Sequence, residues 1–273
     1  MRNFFDPDFD GGLLQALIFD VDGTLADTER DLHRVAFNRA FRDAGLDWYW
    51  DVPTYGQLLK VAGGKERILY FIHTASPPGV PADAEALTRD LHARKTALYV
   101  ELLQSGEISL RPGVERLLRE ARRAGFRLAI ATTTTLANVT TLLEATLGEG
   151  AQRWFEVIGA GDVVPNKKPA PDIYQYVLQQ LRLPASACIA FEDSGNGLRA
   201  STAAGIRTIV TPTVYTARED FTGAFSVISD LGEPNWHCNH FAGLRPARGF
   251  IDAAQLDDWH ATMPEALLCS VSA

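Results

Sequence analysis

Two aspartates one residue apart, Asp20 and Asp22, stand in Asp20-Val21-Asp22-Gly23-Thr24-Leu25, directly after an apolar run. A carboxylate can attack phosphorus and carry the phosphoryl group as a covalent intermediate. A second carboxyl group beside it can protonate the departing oxygen and later activate water. A dianionic substrate repels both acids, so the pair calls for a hard cation with oxygen ligands, and Mg2+ is the expected one. The competing reading is an acidic turn that merely ends a strand. Gly23 and Thr24 behind the acids, and three later segments, favour chemistry.

Those segments carry complementary groups. Thr132-Thr133-Thr134-Thr135 follows the run Phe126–Ala131 and opens a helical pattern at Leu136. Hydroxyls and helix-opening N–H groups suit a phosphate. Thr132, nearest the strand, is the expected phosphate ligand, with Thr133 and Thr134 beside it; a helix cap is the plainer use. Lys168 lies in Asn166-Lys167-Lys168-Pro169-Ala170-Pro171-Asp172, where an ammonium held between prolines can neutralise the phosphoryl group. Lys167 is read as pointing elsewhere. Glu192-Asp193-Ser194-Gly195-Asn196-Gly197 follows the run Ala187–Phe191. Asp193 is the expected metal ligand together with Asp20 and the backbone carbonyl of Asp22, and Glu192 sits behind it or shares the ion. The alternative is a helix N-cap by Asp193 or Ser194.

The elements that must position these groups are legible as runs. Leu13–Asp20, Phe126–Ala131, Ala187–Phe191 and Arg207–Val210 read as strands buried on both faces. Between them lie helical stripes such as Val114, Leu117, Leu118 and Ala121, closed by Gly125. Strands alternating with helices predict a parallel sheet covered on both faces, and ligands of such sheets gather at the carboxyl ends of strands. Residues 28–106 show helical spacing only, over Asp31–Ala44, Tyr55–Val61, Lys65–Thr74 and Ala82–Leu103. This predicts an all-helical domain at 28–106, inserted as a lid into an α/β core formed by 1–27 and 107–273. The tail after Glu233 has no clear period, though a short strand and helix are expected over Ile251–Ala261.

Composition narrows the classes. The 273 residues carry 26 Lys and Arg against 34 Asp and Glu, a formal charge of −8, which argues against a nucleic-acid partner. No run approaches a membrane helix, and the first twelve residues, MRNFFDPDFDGG, hold no apolar run of the export type. Cys188, Cys238 and Cys269 are odd in number and widely spaced, so a reducing compartment is expected, with Cys188 a small buried hydrophobe. His237, Cys238 and His240 crowd together, but no second ligand pair completes a structural zinc site.

The four chemical segments, in this order, resemble the haloacid dehalogenase superfamily. The resemblance implies a Rossmann-like core with an inserted helical cap, Mg2+, and an aspartyl-phosphate intermediate, with Asp20 as nucleophile and Asp22 as general acid and base. More closely, ALIFDVDGTLADTERDLHRVAFNRAF, AGGKERI, ATTTTLANV, KKPAPDIY and FEDSGNGLRA resemble the CbbY family. That family implies a phosphatase of xylulose 1,5-bisphosphate, an inhibitory by-product of Rubisco. Ala62 departs from the Thr or Gly expected before the GGKER stretch. The tail is similar to longer plant and cyanobacterial members, so the expected compartment is a bacterial cytoplasm or, for a plant or alga, the chloroplast stroma.

Substrate choice is assigned to the inserted domain. Gly63 and Gly64 offer close backbone approach, and Lys65 or Arg67 a clamp for a second phosphate. Glu29 and His33 lie one helical turn apart and, with Tyr55, could reach sugar hydroxyls. Plainer uses are a capping acid, a solvated histidine and a core aromatic. The expected partner is a small phosphorylated sugar, and a monomer is expected, with no membrane association. Two rivals remain: a phosphosugar mutase of the β-phosphoglucomutase type, and a non-catalytic binding module on the same fold.

Overall fold

The structure, a computed structural model, describes residues 13–61, 63–106, 108–161 and 163–262. Ala62, Cys269 and the outermost parts of the expected core domain lie outside the described residues. Strands β1 (Ala16–Phe19), β2 (Arg127–Ala131), β3 (Phe155–Gly159), β4 (Cys188–Glu192), β5 (Arg207–Val210), β6 (Ser226–Ile228) and β7 (His240–Gly243) form one sheet. Their order is β3-β2-β1-β4-β5-β6-β7, and every pairing is parallel except that of β6 with β7. The four apolar runs are the four central strands. Each of β1 and β4 is buried along its whole length, as a strand covered on both faces must be.

The helices are α1 (Arg34–Asp43), α2 (Val52–Leu58), α3 (Gly64–Ala75), α4 (Ala84–Gln104), α5 (Val114–Ala124), α6 (Leu136–Leu147), α7 (Asp172–Leu181), α8 (Gly195–Ala203) and α9 (Ala253–Thr262). A π-helical turn, Glu29–His33, leads into α1. No helix among the described residues is long and apolar enough to cross a membrane.

The chain divides into two compact units. One comprises residues 1–25, 111–136 and 153–273, the other 26–110 and 137–152. The second unit extends beyond the expected 28–106, and at its two connections to the rest of the chain Ala26 and Leu110 form an isolated antiparallel bridge. Residues 137–152, expected in the core, group with it.

In the α/β unit, alternate residues of the central strands, Ala16 and Ile18, Ala129 and Ala131, Cys188 and Ala190, pack with Ile173, Tyr174, Val177 and Leu181 of α7. Cys188 is buried as expected, and burial pushes its thiol up to about 12. The tail supplies β7 as an antiparallel edge strand. The expected strand at Ile251 is absent, and only helix α9 forms there.

The helical unit has an aromatic core. Trp50 is fully buried, with Phe37 and Phe41 centroids each 4.8 Å away and Phe71 at 5.4 Å. Helices α1 to α4 match the four predicted segments within a few residues.

Candidate active site

Strand order reverses direction between β1 and β4, and open parallel sheets bind ligands at the carboxyl ends of strands flanking such a switch. Phe19 pairs with Phe191 across that junction, their rings stacked 4.5 Å apart. The next residues along are therefore neighbours: the Asp20 N–H donates to the Phe191 carbonyl at 3.0 Å, and Glu192 ends β4. Thr132 stands just beyond β2 on the other side, its N–H bonded to the Gly159 carbonyl.

Both Asp20 oxygens are occupied. Lys168 Nζ donates to Oδ1 at 2.7 Å and Thr24 Oγ1 to Oδ2 at 3.1 Å. Lys168 also donates to Glu192 Oε1 at 2.6 Å, which takes a further hydrogen bond from the Tyr174 hydroxyl. Burial works against the Lys168 charge, but Asp20 and Glu192 overcome it and raise its pKa. A cation therefore stands against Asp20. Lys167 turns away and donates to the Gly161 carbonyl.

Asp193 completes the group. Candidate ligand oxygens of Asp20, Glu192 and Asp193 all lie within 4.8 Å of one another, and all three residues are buried. Two glycines make room. Gly23 has φ +89°, and a Cβ there would fall 2.3 Å from Asp193 Oδ2; a Cβ at Gly197 would fall 1.8 Å from Glu192 Oε2. Ser194 takes the N-cap, accepting from the Gly197 N–H at 3.2 Å, which leaves Asp193 to the cluster.

The cluster is short of positive charge. Burial, and then the Asp20 and Glu192 carboxylates, hold the Asp193 carboxyl well above its usual range. Burial likewise pushes Glu192 up to about 7, against the pull of Lys168. Glu192 Oε2 is buried with no hydrogen-bond partner. Crowded carboxylate oxygens with too few cations are what a small, hard divalent ion takes as ligands, so the residues present fit such a group.

Thr132 is buried and accepts the Thr134 N–H at 3.3 Å, whereas Thr133 is exposed. Asp22 is half-buried on the turn between Asp20 and Gly23. Sequence reasoning missed two residues here. Tyr174 was visible at the end of KPAPDIY, at the position where an apolar residue would suffice for packing. Arg111 had no signal beyond preceding Pro112-Gly113.

The helical unit gathers a second polar group. The Tyr55 hydroxyl donates to Glu29 Oε2 at 2.6 Å and accepts from Arg67 Nη1 at 2.9 Å. Arg67 is buried and also donates to the carbonyls of Leu58 and Val61. His33 stacks on Tyr99 with centroids 4.2 Å apart, and its Nδ1 lies 2.6 Å from Lys95 Nζ. Burial, opposed by Glu29 but aided by Lys95 and Arg67, pushes the His33 pKa down to about 4. Glu29, His33, Tyr55 and Arg67 are thus brought together. Lys65 is exposed, and Gly63 and Gly64 open α3, with Gly64 against His92. Lys95 and Tyr99 were missed, though a lysine on the buried stripe Thr88, Leu91, Lys95, Tyr99, Leu102 was readable.

In the tail, His240 Nε2 faces the Gly243 carbonyl at 3.0 Å. Among the described residues the only trio of candidate metal ligands is the Asp20 cluster.

Residues 14–205 match the model of the haloacid dehalogenase-like hydrolase family. The chain is 50% identical over 256 residues to plasmid-encoded CbbY of Cupriavidus necator, covering 93% of this chain and all of that one. It is 52% identical over 218 residues to CbbY of Rhodobacter capsulatus, covering 80% and 94% respectively. A crystal structure of a CbbY mutant from Rhodobacter sphaeroides in complex with xylulose 1,5-bisphosphate superposes with a TM-score of 0.69 at 48% identity, over 82% of this chain and 97% of that one.

Proposed function

This chain belongs to the haloacid dehalogenase-like hydrolase family and within it to the CbbY group, a phosphatase of sugar phosphates, and we propose that its substrate is xylulose 1,5-bisphosphate. Asp20 is the nucleophile. Its carboxylate oxygen bonds to phosphorus, and the bond from phosphorus to the sugar oxygen breaks. Asp22 gives a proton to that oxygen, so the sugar leaves as an alcohol. The product on the enzyme is an aspartyl-phosphate. Asp22, now a carboxylate, takes a proton from water, and the water oxygen bonds to phosphorus as the bond from phosphorus to the Asp20 oxygen breaks. Inorganic phosphate leaves and both acids return to their starting states.

The observation that carries this reading is Asp20 itself: a carboxylate at the switch point, with Lys168 and Thr24 each holding one oxygen. These donors fix the attacking lone pair and, in a water-poor site, favour negative charge on phosphoryl oxygens. Thr132 is proposed to bind the same oxygens. Asp20, Asp193 and the Asp22 carbonyl would hold Mg2+, with Glu192 keeping Lys168 in place or sharing the ion. When bound, the ion neutralises phosphoryl charge and offsets repulsion between substrate and acids. Glu29, His33, Tyr55, Gly63, Gly64, Lys65 and Arg67 are proposed to set substrate choice, as are Thr133 and Thr134 near the reacting phosphate. A bacterial cytoplasm or a chloroplast stroma, with the protein acting as a monomer, fits this substrate.

The test is phosphate release from xylulose 1,5-bisphosphate beside β-glucose 1-phosphate, each with and without Mg2+. Strong Mg2+-dependent preference for the bisphosphate is expected. Poor release from it, with glucose 6-phosphate formed from the monophosphate, would instead make the chain a mutase.

A further inference from the structure

Arg111 is half-buried at the start of α5, directly after the helical unit, and nothing in the chemistry above uses it. Its guanidinium gathers four backbone carbonyls from three separate segments. Nη1 donates to the Gly23 carbonyl in the turn after β1, and to the Thr211 carbonyl at 2.5 Å and hydroxyl at 3.0 Å. Nη2 donates to the carbonyls of Pro212 at 3.0 Å and Ser229 at 2.8 Å. The backbone joins in: the Arg111 N–H donates to the Leu25 carbonyl at 2.8 Å, and the Thr211 N–H to the Glu192 carbonyl at 2.8 Å.

Four carbonyl oxygens turned toward one point repel one another. A planar cation with several N–H donors removes that repulsion, and a lysine, as a point charge with three donors, does so less completely. The carbonyl of Gly23 is one residue from Asp22, and Thr211 is bonded to the strand end that presents Glu192. Arg111 is also a cation felt by the Asp193 carboxyl.

We propose that Arg111 is a positioning residue of the active site: by clamping the Gly23 carbonyl to the loop after β5 and the end of β6, it sets the Asp20–Thr24 turn against Glu192 and Asp193. The inference rests on the proposed roles of Asp20 and Asp22. It touches neither substrate nor phosphorus, so its loss should appear in kcat. Misplacement of reacting groups by about 1 Å can cost about 100-fold.

A nearby arginine provides the control. Arg116 instead holds the C-terminal tail, donating to Glu233 at 2.9 Å, the Gly232 carbonyl at 2.7 Å and the Ile251 carbonyl at 2.9 Å, and none of these is in the catalytic turn. The experiment uses the full chain with p-nitrophenyl phosphate and Mg2+, comparing Arg111→Met, Arg111→Lys, Arg116→Met and Asp20→Asn for kcat, KM and melting temperature. Arg111→Met is expected to lower kcat by about 30-fold or more with KM within about threefold, and Arg111→Lys to lower it by about tenfold. Arg116→Met should melt earlier yet keep kcat within about threefold. Should Arg111→Met not fold, Arg111→Lys decides. A folded Arg111→Lys with unchanged kcat, a loss confined to KM, or an equal kcat loss in Arg116→Met would overturn the inference while leaving Asp20 in place. Turnover surviving in Asp20→Asn would overturn the reading of the site, and this inference with it.

Discussion

Gly23 and Gly197 show how a missing side chain can be as specific as a present one. Gly23 combines a φ of +89° with a carboxylate oxygen 2.3 Å from where its Cβ would stand. Gly23→Ala therefore has two costs, backbone strain of about 1 kcal/mol and displacement of Asp193. The second should dominate function: phosphatase kcat is expected to fall by about 100-fold or more while the melting temperature drops only a few degrees. Circular dichroism melts beside steady-state kinetics would show the split, and equal, modest effects on both would remove Asp193 from the site. Glu192 and Asp193 could be found by sequence because they follow a strand with no other use for two acids. The hydroxyl of Tyr174 and the guanidinium of Arg111 could not, because each reaches its partners across the fold from a position that local pattern explains as packing or as the start of a helix. A second residue-scale expectation concerns His33. Burial lowers its pKa to about 4, so the folded protein keeps it neutral where an unfolded chain would take a proton. Stability from this residue is complete above its unfolded value and is lost as pH falls from there toward 4. The shift from 6.5 to about 4 corresponds to roughly 3 kcal/mol across that window. Tryptophan-monitored unfolding between pH 7 and 5 should lose much of its pH dependence in His33→Gln; an unchanged slope would mean that His33 is not held neutral.

At the scale of elements, legibility followed burial. The central strands β1, β2, β4 and β5 have apolar residues on both faces, and their runs were readable directly. The outer strands were not. Phe155–Gly159 is buried only at its two ends and carries the exposed Glu156, paired with Arg127 at 2.5 Å. Ser226–Ile228 is only three residues long, and β7 is half-buried or exposed throughout. Such strands are defined by pairing with distant chain, which no local period records. The tail is placed by the segment Arg111–Arg116. Leu231 N–H donates to the Pro112 carbonyl at 3.2 Å, Gly113 N–H to Glu233 Oε1 at 3.0 Å, and the Arg116 guanidinium lies over the Phe250 ring. Gly113 has φ +81°, and a Cβ there would fall 2.3 Å from the Gly232 carbonyl oxygen. Gly113→Ala should accordingly separate extension from core, with a loss of about 2 kcal/mol or more in denaturant unfolding and faster proteolysis between β6 and α9. Intact resistance to protease would show that the extension is held by β7 pairing instead. By contrast, Glu156→Gln breaks a half-exposed pair and should cost less than about 1 kcal/mol.

At the scale of the whole molecule, the two compact units bury polar clusters of different charge. The α/β unit crowds Asp20, Glu192 and Asp193 around one lysine. Among the described residues, the helical unit buries Arg67 and Lys95 beside the Glu29 carboxylate and a neutral His33. An acidic centre suits a metal-assisted attack on any phosphate ester, whereas a buried excess of positive charge suits an anion that not every ester has. The division predicts that chemistry and choice can be separated by mutation. Lys95 lies over the rings of Phe37 and Tyr99, at 5.1 and 5.0 Å, so Lys95→Met keeps most of its packing and removes the charge. With p-nitrophenyl phosphate, which has one phosphate, kcat/KM is expected to stay within about threefold. With xylulose 1,5-bisphosphate, KM should rise by about tenfold or more, the loss of one charge-assisted contact, while kcat changes little. The ratio of the two effects matters more than either alone. An equal fall on both substrates would mean that Lys95 acts through the stability of the helical unit, and the second phosphate would then have to be read elsewhere in the molecule.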